Sequence, residues 1–118
     1  MEYKRSDRVA ELLQKEIAEL VFRRVKDPRV ANVTISGVNV SDDLKHARVF
    51  FCIMGGRANE DEKKNASAGL EKAKGFIRAE LGRMLSLRYI PQLHFDYDIS
   101  FEYGDKIDRL LKELHKDE

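Results

Sequence analysis

The first thirty residues alternate apolar and polar positions with the period of a helix. Ser6 is the expected N-cap of this helix, and Asp7 suits the positive end of its dipole. Pro28 should end it, because the residue before a proline is disfavoured in the α region. The apolar face is formed by Val9, Leu12, Leu13, Ile17, Leu20 and Val21.

Three stretches alternate with a period of two and therefore predict β-strands. In residues 33–40 the alternation changes phase at Gly37, which indicates a β-bulge. The second stretch follows a short polar loop, so the first two strands should form a hairpin. Its alternating residues are Ala47, Val49, Phe51 and Ile53, and those of the third stretch are Leu93, Phe95, Tyr97 and Ile99.

The stretch from Ala68 to Pro91 organises the rest of the chain. Its apolar residues have helical spacing, with Gly75 in the middle of the pattern. A glycine inside a helix costs about 1 kcal/mol relative to alanine. We therefore expect a kink or a close approach of another backbone at Gly75, and a helix pair that ends before Pro91. The apolar residues are Leu70, Ala73, Ile77, Leu81 and Leu85.

A last apolar stripe, at i, i+3, i+4 and i+7, predicts a short C-terminal helix that covers the core. It consists of Ile107, Leu110, Leu111 and Leu114. The predicted order is α-β-β-α-α-β-α in a single domain over residues 1–118. A three-stranded sheet with helices on one face is the simplest α+β arrangement of these elements.

Composition narrows the class of protein. The 118 residues are 42% hydrophobic and 36% charged, as expected for one globular domain. No apolar run reaches the roughly 20 residues that span a bilayer, and no signal peptide is expected. The one cysteine, Cys52, excludes an internal disulfide and suits a reducing compartment, so we expect a cytoplasmic protein.

Charge is unevenly distributed, although the net charge is only +1. Residues 72–91 carry five bases and one acid, a local charge of +4, whereas residues 92–118 carry four bases and eight acids. A basic stripe on a helix can contact phosphates without reading sequence. A solvated helix face remains the alternative. The candidate RNA-binding residues are Lys72, Lys74, Arg78, Arg83 and Arg88, with Arg5 and Arg8 in the first helix.

Other candidate chemistry is weaker. His94, Asp96 and Asp98 share one face of the third strand, and His46 could lie on the neighbouring strand. Their spacing matches no metal-ligand motif, so an exposed sheet face is preferred to a metal site. Cys52 lacks the surroundings of a catalytic nucleophile. No set of residues supplies a nucleophile, a base and an oxyanion donor, and we expect neither an enzyme nor a cofactor.

Taken together, the segments resemble the ribosome-binding factor A family, over about residues 5–114. The resemblance depends on an ordered set of short motifs, above all Ala73-Lys74-Gly75 followed by Ile77-Arg78. The others are Arg8–Leu12, Asp27–Arg29, Val38–Leu44, Leu87-Arg88 with Pro91, Leu93 with Phe95, Asp98, Ile107-Asp108 and Leu110-Leu111.

The resemblance implies a type II KH-like domain of αββααβ order plus the short C-terminal helix, with a mixed sheet whose first and third strands are parallel neighbours. In that family an Ala-x-Gly kink, here Ala73 and Gly75, replaces the GxxG loop of other KH domains. The implied function is binding of the free small (30S) ribosomal subunit and its ribosomal RNA, to aid late maturation, rRNA processing and growth in the cold.

The resemblance further implies a monomer without catalysis, with other assembly factors such as a GTPase as further partners. Two rival functions stay open. One is a protein-interaction module that uses the open sheet face or the C-terminal helix. The other is a metal-dependent enzyme built on the histidine and aspartate residues of the sheet.

Overall fold

The computed structural model describes residues 3–55 and 58–116, and has the α+β architecture that the sequence predicts. Three helices and a three-stranded mixed sheet make up the described fold. In chain order the elements are α1 (Arg5–Arg23), a 3₁₀ turn (Pro28–Val30), β1 (Val33–Val40), β2 (His46–Ile53), α2 (Glu60–Met84), β3 (Gln92–Tyr97) and α3 (Ile99–Lys116).

The sheet has the order β1-β2-β3, with β2 in the centre. The predicted hairpin pairs β1 antiparallel with β2, and β2 pairs parallel with β3. The expectation that the first and third strands are parallel neighbours is therefore wrong. The hairpin already occupies one edge of β2, so the crossover through α2 delivers β3 to its other edge.

The bulge that the phase change predicts in β1 is confirmed. The register with β2 shifts between Ile35 and Gly37, so that Ser36 is the extra residue. The hydroxyl of Ser36 donates a hydrogen bond of 2.6 Å to Oδ2 of Asp98, which directly follows β3. The bulge thus connects β1 to the start of α3, across the central strand.

One face of the sheet carries the core, and α1 and α2 cover it. Helix α1 packs mainly on β1, and α2 packs on β3 and on the 3₁₀ turn. Most predicted apolar positions of the three strands are buried, and Val40 and Tyr97 are half-buried. The expectation that Ile99 belongs to the third strand is wrong, because Ile99 begins α3 and is 75% exposed. Leu12 of the predicted α1 face is 38% exposed. Residues with no exposed surface at all include Leu13, Ile17, Val49, Leu70, Ile77, Leu81 and Leu93.

Helix α1 begins earlier than the sequence predicts. Its N-cap is Lys4, and Ser6 is buried within the first turn, so the N-cap expected at Ser6 is wrong. Asp7 has the expected location near the positive end of the dipole. Its Oδ2 atom accepts a hydrogen bond of 3.0 Å from the backbone N–H of Lys4, which satisfies a donor that the helix leaves open.

Helix α2 is one continuous helix of 25 residues. The expected division of this stretch into a helix pair is wrong, because the helix runs through Ala73 and Gly75 and ends at Met84. A bend of its axis at Ala73 and Gly75 stays a prediction. The helix can continue through Gly75 because one glycine costs it only about 1 kcal/mol. The packing of its apolar face against the core contributes far more to its stability.

Helix α3 differs most from expectation. It has 18 residues instead of the short helix predicted, and its apolar stripe does not cover the core. Ile107, Leu110, Leu111 and Leu114 are 39%, 47%, 50% and 65% exposed. Within the described part of the chain, no helix combines the length and the apolar character needed to cross a membrane.

Candidate nucleic-acid interface

Helix α2 is the platform for most of the predicted contacts. Asn59 caps its N-terminus, since the side-chain oxygen accepts a hydrogen bond of 2.8 Å from the N–H of Glu62. The first turn is acidic and the last half is basic, in agreement with the helix dipole. Leu70, Ile77 and Leu81 fix the buried face. The basic residues therefore emerge on the two flanks of that face.

One flank of α2 borders a groove that we call the turn groove. It lies between α2, the C-terminal end of α1 and the 3₁₀ turn, and has a volume of about 540 Å³. Among the described residues, four bases and one acid line it, so the formal charge of this lining is +3. The polar lining residues are Arg24, Lys26, Asp27, Arg29 and Lys72, and Phe76 supplies an aromatic wall.

The acid that lines the turn groove is already neutralised. Asp27 and Arg29 form a fork-like ion pair, with 2.7 Å between Oδ2 and Nη2 and 3.1 Å between Oδ1 and Nε. Oδ1 also accepts a hydrogen bond of 2.9 Å from the backbone N–H of Arg29. These bonds lower the pKa of Asp27 to about 2, with a smaller contribution from the charge of Lys72.

Gly69 allows the 3₁₀ turn to pack closely on α2. A Cβ atom at this position would lie 2.8 Å from Cγ1 of Val30 and 3.3 Å from Cβ of Arg29. Real Cβ atoms do not approach other atoms as closely as 2.8 Å, so only glycine fits without movement. The floor of the turn groove thus depends on a glycine that sequence reasoning did not single out.

The other flank borders a larger groove, of about 860 Å³, which we call the strand groove. It lies between α2, the segment 88–92 and the start of β2. Within residues 3–55 and 58–116, no acidic residue lines it. Its lining includes Lys45, His46, Gly75, Arg78, Arg88 and Tyr89.

Within the strand groove, Arg78 has a structural role. Its guanidinium donates hydrogen bonds of 2.9 Å to the carbonyl of Ile90 and 3.2 Å to that of Pro91. These bonds hold the segment after α2 against the helix. Arg88 is exposed, with its guanidinium 5.5 Å from the ring centroid of Tyr89, and Tyr89 itself is 66% exposed.

Gly75 opens to the strand groove. A Cβ atom at this position would have no atom of the described chain within 4 Å, so packing against those residues does not require glycine there. The helix backbone is consequently accessible at this point. A close approach of a ligand at Gly75 stays a prediction, for which the open backbone leaves room.

The remaining candidates lie apart from the two grooves or have acidic partners. Lys74 forms an ion pair of 2.6 Å with Glu71, and Arg83 forms one of 2.6 Å with Glu80. Arg5 and Arg8 lie in the first turns of α1, where Arg8 stacks over Tyr3 at 5.7 Å. In each pair one partner is partly buried and the other is open to solvent. Ion pairs in contact with solvent contribute little to stability, so a phosphate can compete for the basic partner.

The structure therefore divides the predicted basic stripe. Lys72 belongs to the turn groove, and Arg78 and Arg88 belong to the strand groove. Sequence reasoning missed four bases that line these grooves. They are Arg24, Lys26, Arg29 and Lys45. The first three lie close together in the sequence around Asp27-Pro28, at the start of the 3₁₀ turn, and this basic run could have identified them.

The face of the sheet opposite the helices carries the candidate metal ligands. Nδ1 of His46 and Nε2 of His94 are 3.0 Å apart and share a hydrogen bond. Asp96 instead forms an ion pair of 2.7 Å with Arg48, and Asp98 accepts from Ser36. Residues 3–55 and 58–116 contain no cluster of three or more ligand side chains able to hold a metal.

Cys52 is free and buried in β2. Burial raises the pKa of its thiol, and the nearby charge of Asp98 raises it further. Both effects favour the unreactive thiol over the thiolate. The residue therefore has the character of a packing side chain, as the sequence predicts.

Comparison with known proteins identifies the family. The family model described as "Ribosome-binding factor A" matches residues 5–111. The ribosome-binding factor A of Syntrophobacter fumaroxidans is 64% identical over 118 residues, which cover 100% of both chains. That of Syntrophus aciditrophicus is 51% identical over 117 residues, which cover 99% of this chain and 93% of the relative.

Solved structures show the same fold. The crystal structure of ribosome-binding factor A from Thermus thermophilus has a TM-score of 0.68 at 24% identity, covering 78% of this chain and 93% of that one. The expected α+β, KH-like fold is confirmed. A homology model of the Thermus thermophilus factor, fitted into a cryo-EM map of a 30S complex with the factor, has a TM-score of 0.60 at 26% identity and covers 74% of this chain and 88% of that one. By the matched residues and the full-length relatives, the chain belongs to the ribosome-binding factor A family.

Proposed function

We propose that this chain binds the free small ribosomal subunit through its ribosomal RNA and acts there as an assembly factor. The strand groove is the observation that carries the proposal, because its described lining combines cations with an exposed tyrosine and includes no acid. RNA phosphates and unpaired bases suit such a lining. The relative fitted into a 30S complex supports the choice of subunit.

The details of the assembly function that we propose are those that membership of the ribosome-binding factor A family implies. The chain aids late maturation of the subunit and rRNA processing, and supports growth in the cold. It acts in the cytoplasm as a monomeric single domain over residues 1–118, alongside other assembly factors such as a GTPase. It binds and does not catalyse, and the proposed activity requires no cofactor or metal.

The RNA contacts divide according to the two grooves. Lys72 contacts phosphate from the turn groove and Arg88 from the strand groove, where Arg78 contributes charge while it holds the carbonyls of residues 90 and 91. Lys74, Arg83, Arg5 and Arg8 extend the basic surface around them. Gly75 allows a phosphate backbone to approach α2, and Ala73 lies beside it on the same turn.

Co-sedimentation with purified small and large subunits over a series of salt concentrations tests the proposal. We expect binding to the small subunit only, with an affinity that falls steeply as salt rises. Reversal of one contacting charge, in Arg88→Glu, should weaken binding about tenfold and lower the salt slope by about one. Equal binding to both subunits would contradict the assembly function.

Lys15→Glu is the matched control. Lys15 is exposed on α1 and lines neither groove, so the variant changes the net charge equally without touching the interface. Its affinity for the small subunit should stay within about twofold of the wild type. An equal loss in both variants would show that the binding depends on total charge and not on the strand groove.

One observation favours a protein-interaction module as the alternative function. The apolar stripe of α3 is exposed, with Leu114 at 65%. Sedimentation velocity at increasing protein concentration separates the two functions. A constant monomer mass together with subunit binding supports the RNA-binding function, whereas a mass that rises with concentration and no subunit binding supports the module.

A further inference from the structure

The turn groove combines an aromatic wall with positive charge. Phe76 is 38% exposed, although a phenylalanine would bury more surface in the core. The guanidinium of Arg24 lies 5.7 Å from the centroid of its ring. The ring and the guanidinium thus border the same open space, next to the 3₁₀ turn.

Electrostatics of the groove favour an anion. In its described lining four bases face one acid, and that acid is held by Arg29 through hydrogen bonds as short as 2.7 Å. Arg24 has a further, longer contact of 3.9 Å with Glu80, whose carboxylate is closer to Arg83. Lys26 and Lys72 are both exposed at the groove. Their ammonium groups are suited to phosphate oxygens as point charges.

The volume and rigidity of the groove suit a small planar group. At about 540 Å³ it lies in the range of small-molecule sites, which is roughly 300–1,000 Å³. Its floor is fixed, because Gly69 allows Val30 to pack directly against α2 and Val30 is 2% exposed. A ligand would therefore meet a wall that is already formed.

We propose that the turn groove binds one unpaired RNA base, stacked on Phe76 beside Arg24, with the adjoining phosphate on Lys26 and Lys72. The inference rests on the proposed function and adds to it a contact that duplex RNA cannot make. An acidic peptide would also meet the positive charge, but it would leave the ring face unused. Unpaired bases are commonly stacked on aromatic rings and on arginine planes.

The absence of tryptophan from the chain provides a direct test. In Phe76→Trp, the new indole is the only one in the protein and reports contacts at the groove wall. Titration with a single-stranded oligoribonucleotide of six adenosines should quench its fluorescence to saturation. A duplex RNA of the same length should leave the fluorescence within a few per cent of its starting value.

Phe22→Trp is the matched control, because Phe22 is 81% exposed on α1 and does not line the groove. Quenching in Phe76→Trp with little in Phe22→Trp supports the stacked base. Equal quenching of both indoles, or equal quenching by duplex RNA, overturns it. Phe76→Leu keeps an apolar side chain and should lower affinity for the six-adenosine RNA about tenfold, since it removes the stacking surface. An unchanged affinity also overturns the inference.

The same preparations separate this inference from the proposed function. If Phe76→Trp sediments with small subunits but is not quenched by single-stranded RNA, the stacked base is wrong and the assembly function is retained. If Phe76→Trp is not quenched and the wild-type chain does not bind small subunits, the stacked base and the assembly function are both wrong. Quenching by single-stranded RNA without subunit binding would support the groove and contradict the assembly function.

Discussion

Gly69 and Gly75 lie within one helix but in opposite environments, and replacing each with alanine tests the packing of α2. Each substitution should gain about 1 kcal/mol of helix stability, because alanine is the better helix former. At Gly75 no described atom lies within 4 Å of the added Cβ, so the gain is retained. At Gly69 the added Cβ would lie 2.8 Å from Val30 and overpack the contact with the 3₁₀ turn.

The difference between the two variants isolates the packing cost. Overpacking of a filled site costs about 1–3 kcal/mol. Gly69→Ala should therefore lose roughly 0–2 kcal/mol of unfolding free energy, and Gly75→Ala should gain about 1 kcal/mol. The propensity gain is common to both, so it cancels in the comparison. For a chain of this length, 1 kcal/mol corresponds to a change in Tm of about 4 °C.

Urea unfolding followed by circular dichroism measures both variants. We expect Gly75→Ala to have the higher midpoint, Gly69→Ala the lower one, and the wild type a value between them or close to the lower one. Equal midpoints for the two variants would refute the close contact between Gly69 and Val30. A loss of stability in Gly75→Ala would refute the open, helical environment of Gly75.

Three further predictions concern the core, the turn and the cysteine. Leu81→Ala removes a side chain with no exposed surface and should cost about 2–5 kcal/mol in urea unfolding. The pKa of Asp27 is lowered to about 2, so the ionised carboxylate stabilises the fold above about pH 4 and this contribution is lost as the pH falls towards 2. Between about pH 4 and pH 2, the urea midpoint should therefore fall less for Asp27→Asn than for the wild type. The thiol of Cys52, with its raised pKa and its burial, should react with a thiol reagent at neutral pH only when the protein is unfolded, and fast labelling of the native chain would contradict its burial.

Hydrophobic periodicity predicts most of the helices and strands correctly, because the apolar positions of a regular element are usually those that it buries. The stripe of α1, the alternation in β2 and β3 and the phase change at Gly37 each correspond to an observed feature. The same pattern gave a wrong prediction for α3, whose apolar face is not buried. The stripe of α3 has ideal helical spacing, yet Leu110 and Leu111 are about half exposed, since spacing shows that a face is apolar and not what covers it.

The order of strands could not be read from periodicity. Every strand has one apolar face, so the residue pattern allows β3 to pair with either β1 or β2. The choice depends on the path of the α2 crossover, which no residue pattern encodes. For Gly69 and Gly75 the same limit applies, since a sequence shows that a glycine interrupts a helix but not whether another element packs against it.

Arg78 shows how a site prediction from charge can select a residue that has a second role. Its hydrogen bonds to the carbonyls of Ile90 and Pro91 hold the segment that carries Arg88. Reversal of Arg78 would leave those carbonyls without their donor and displace Arg88 as well, so a loss of RNA binding could not be assigned to either charge. Arg88 is exposed beside the exposed ring of Tyr89, so its reversal changes the charge of the strand groove without loosening the fold. A subunit affinity that falls in Arg88→Glu at unchanged unfolding free energy would therefore assign the lost contact to the strand groove itself.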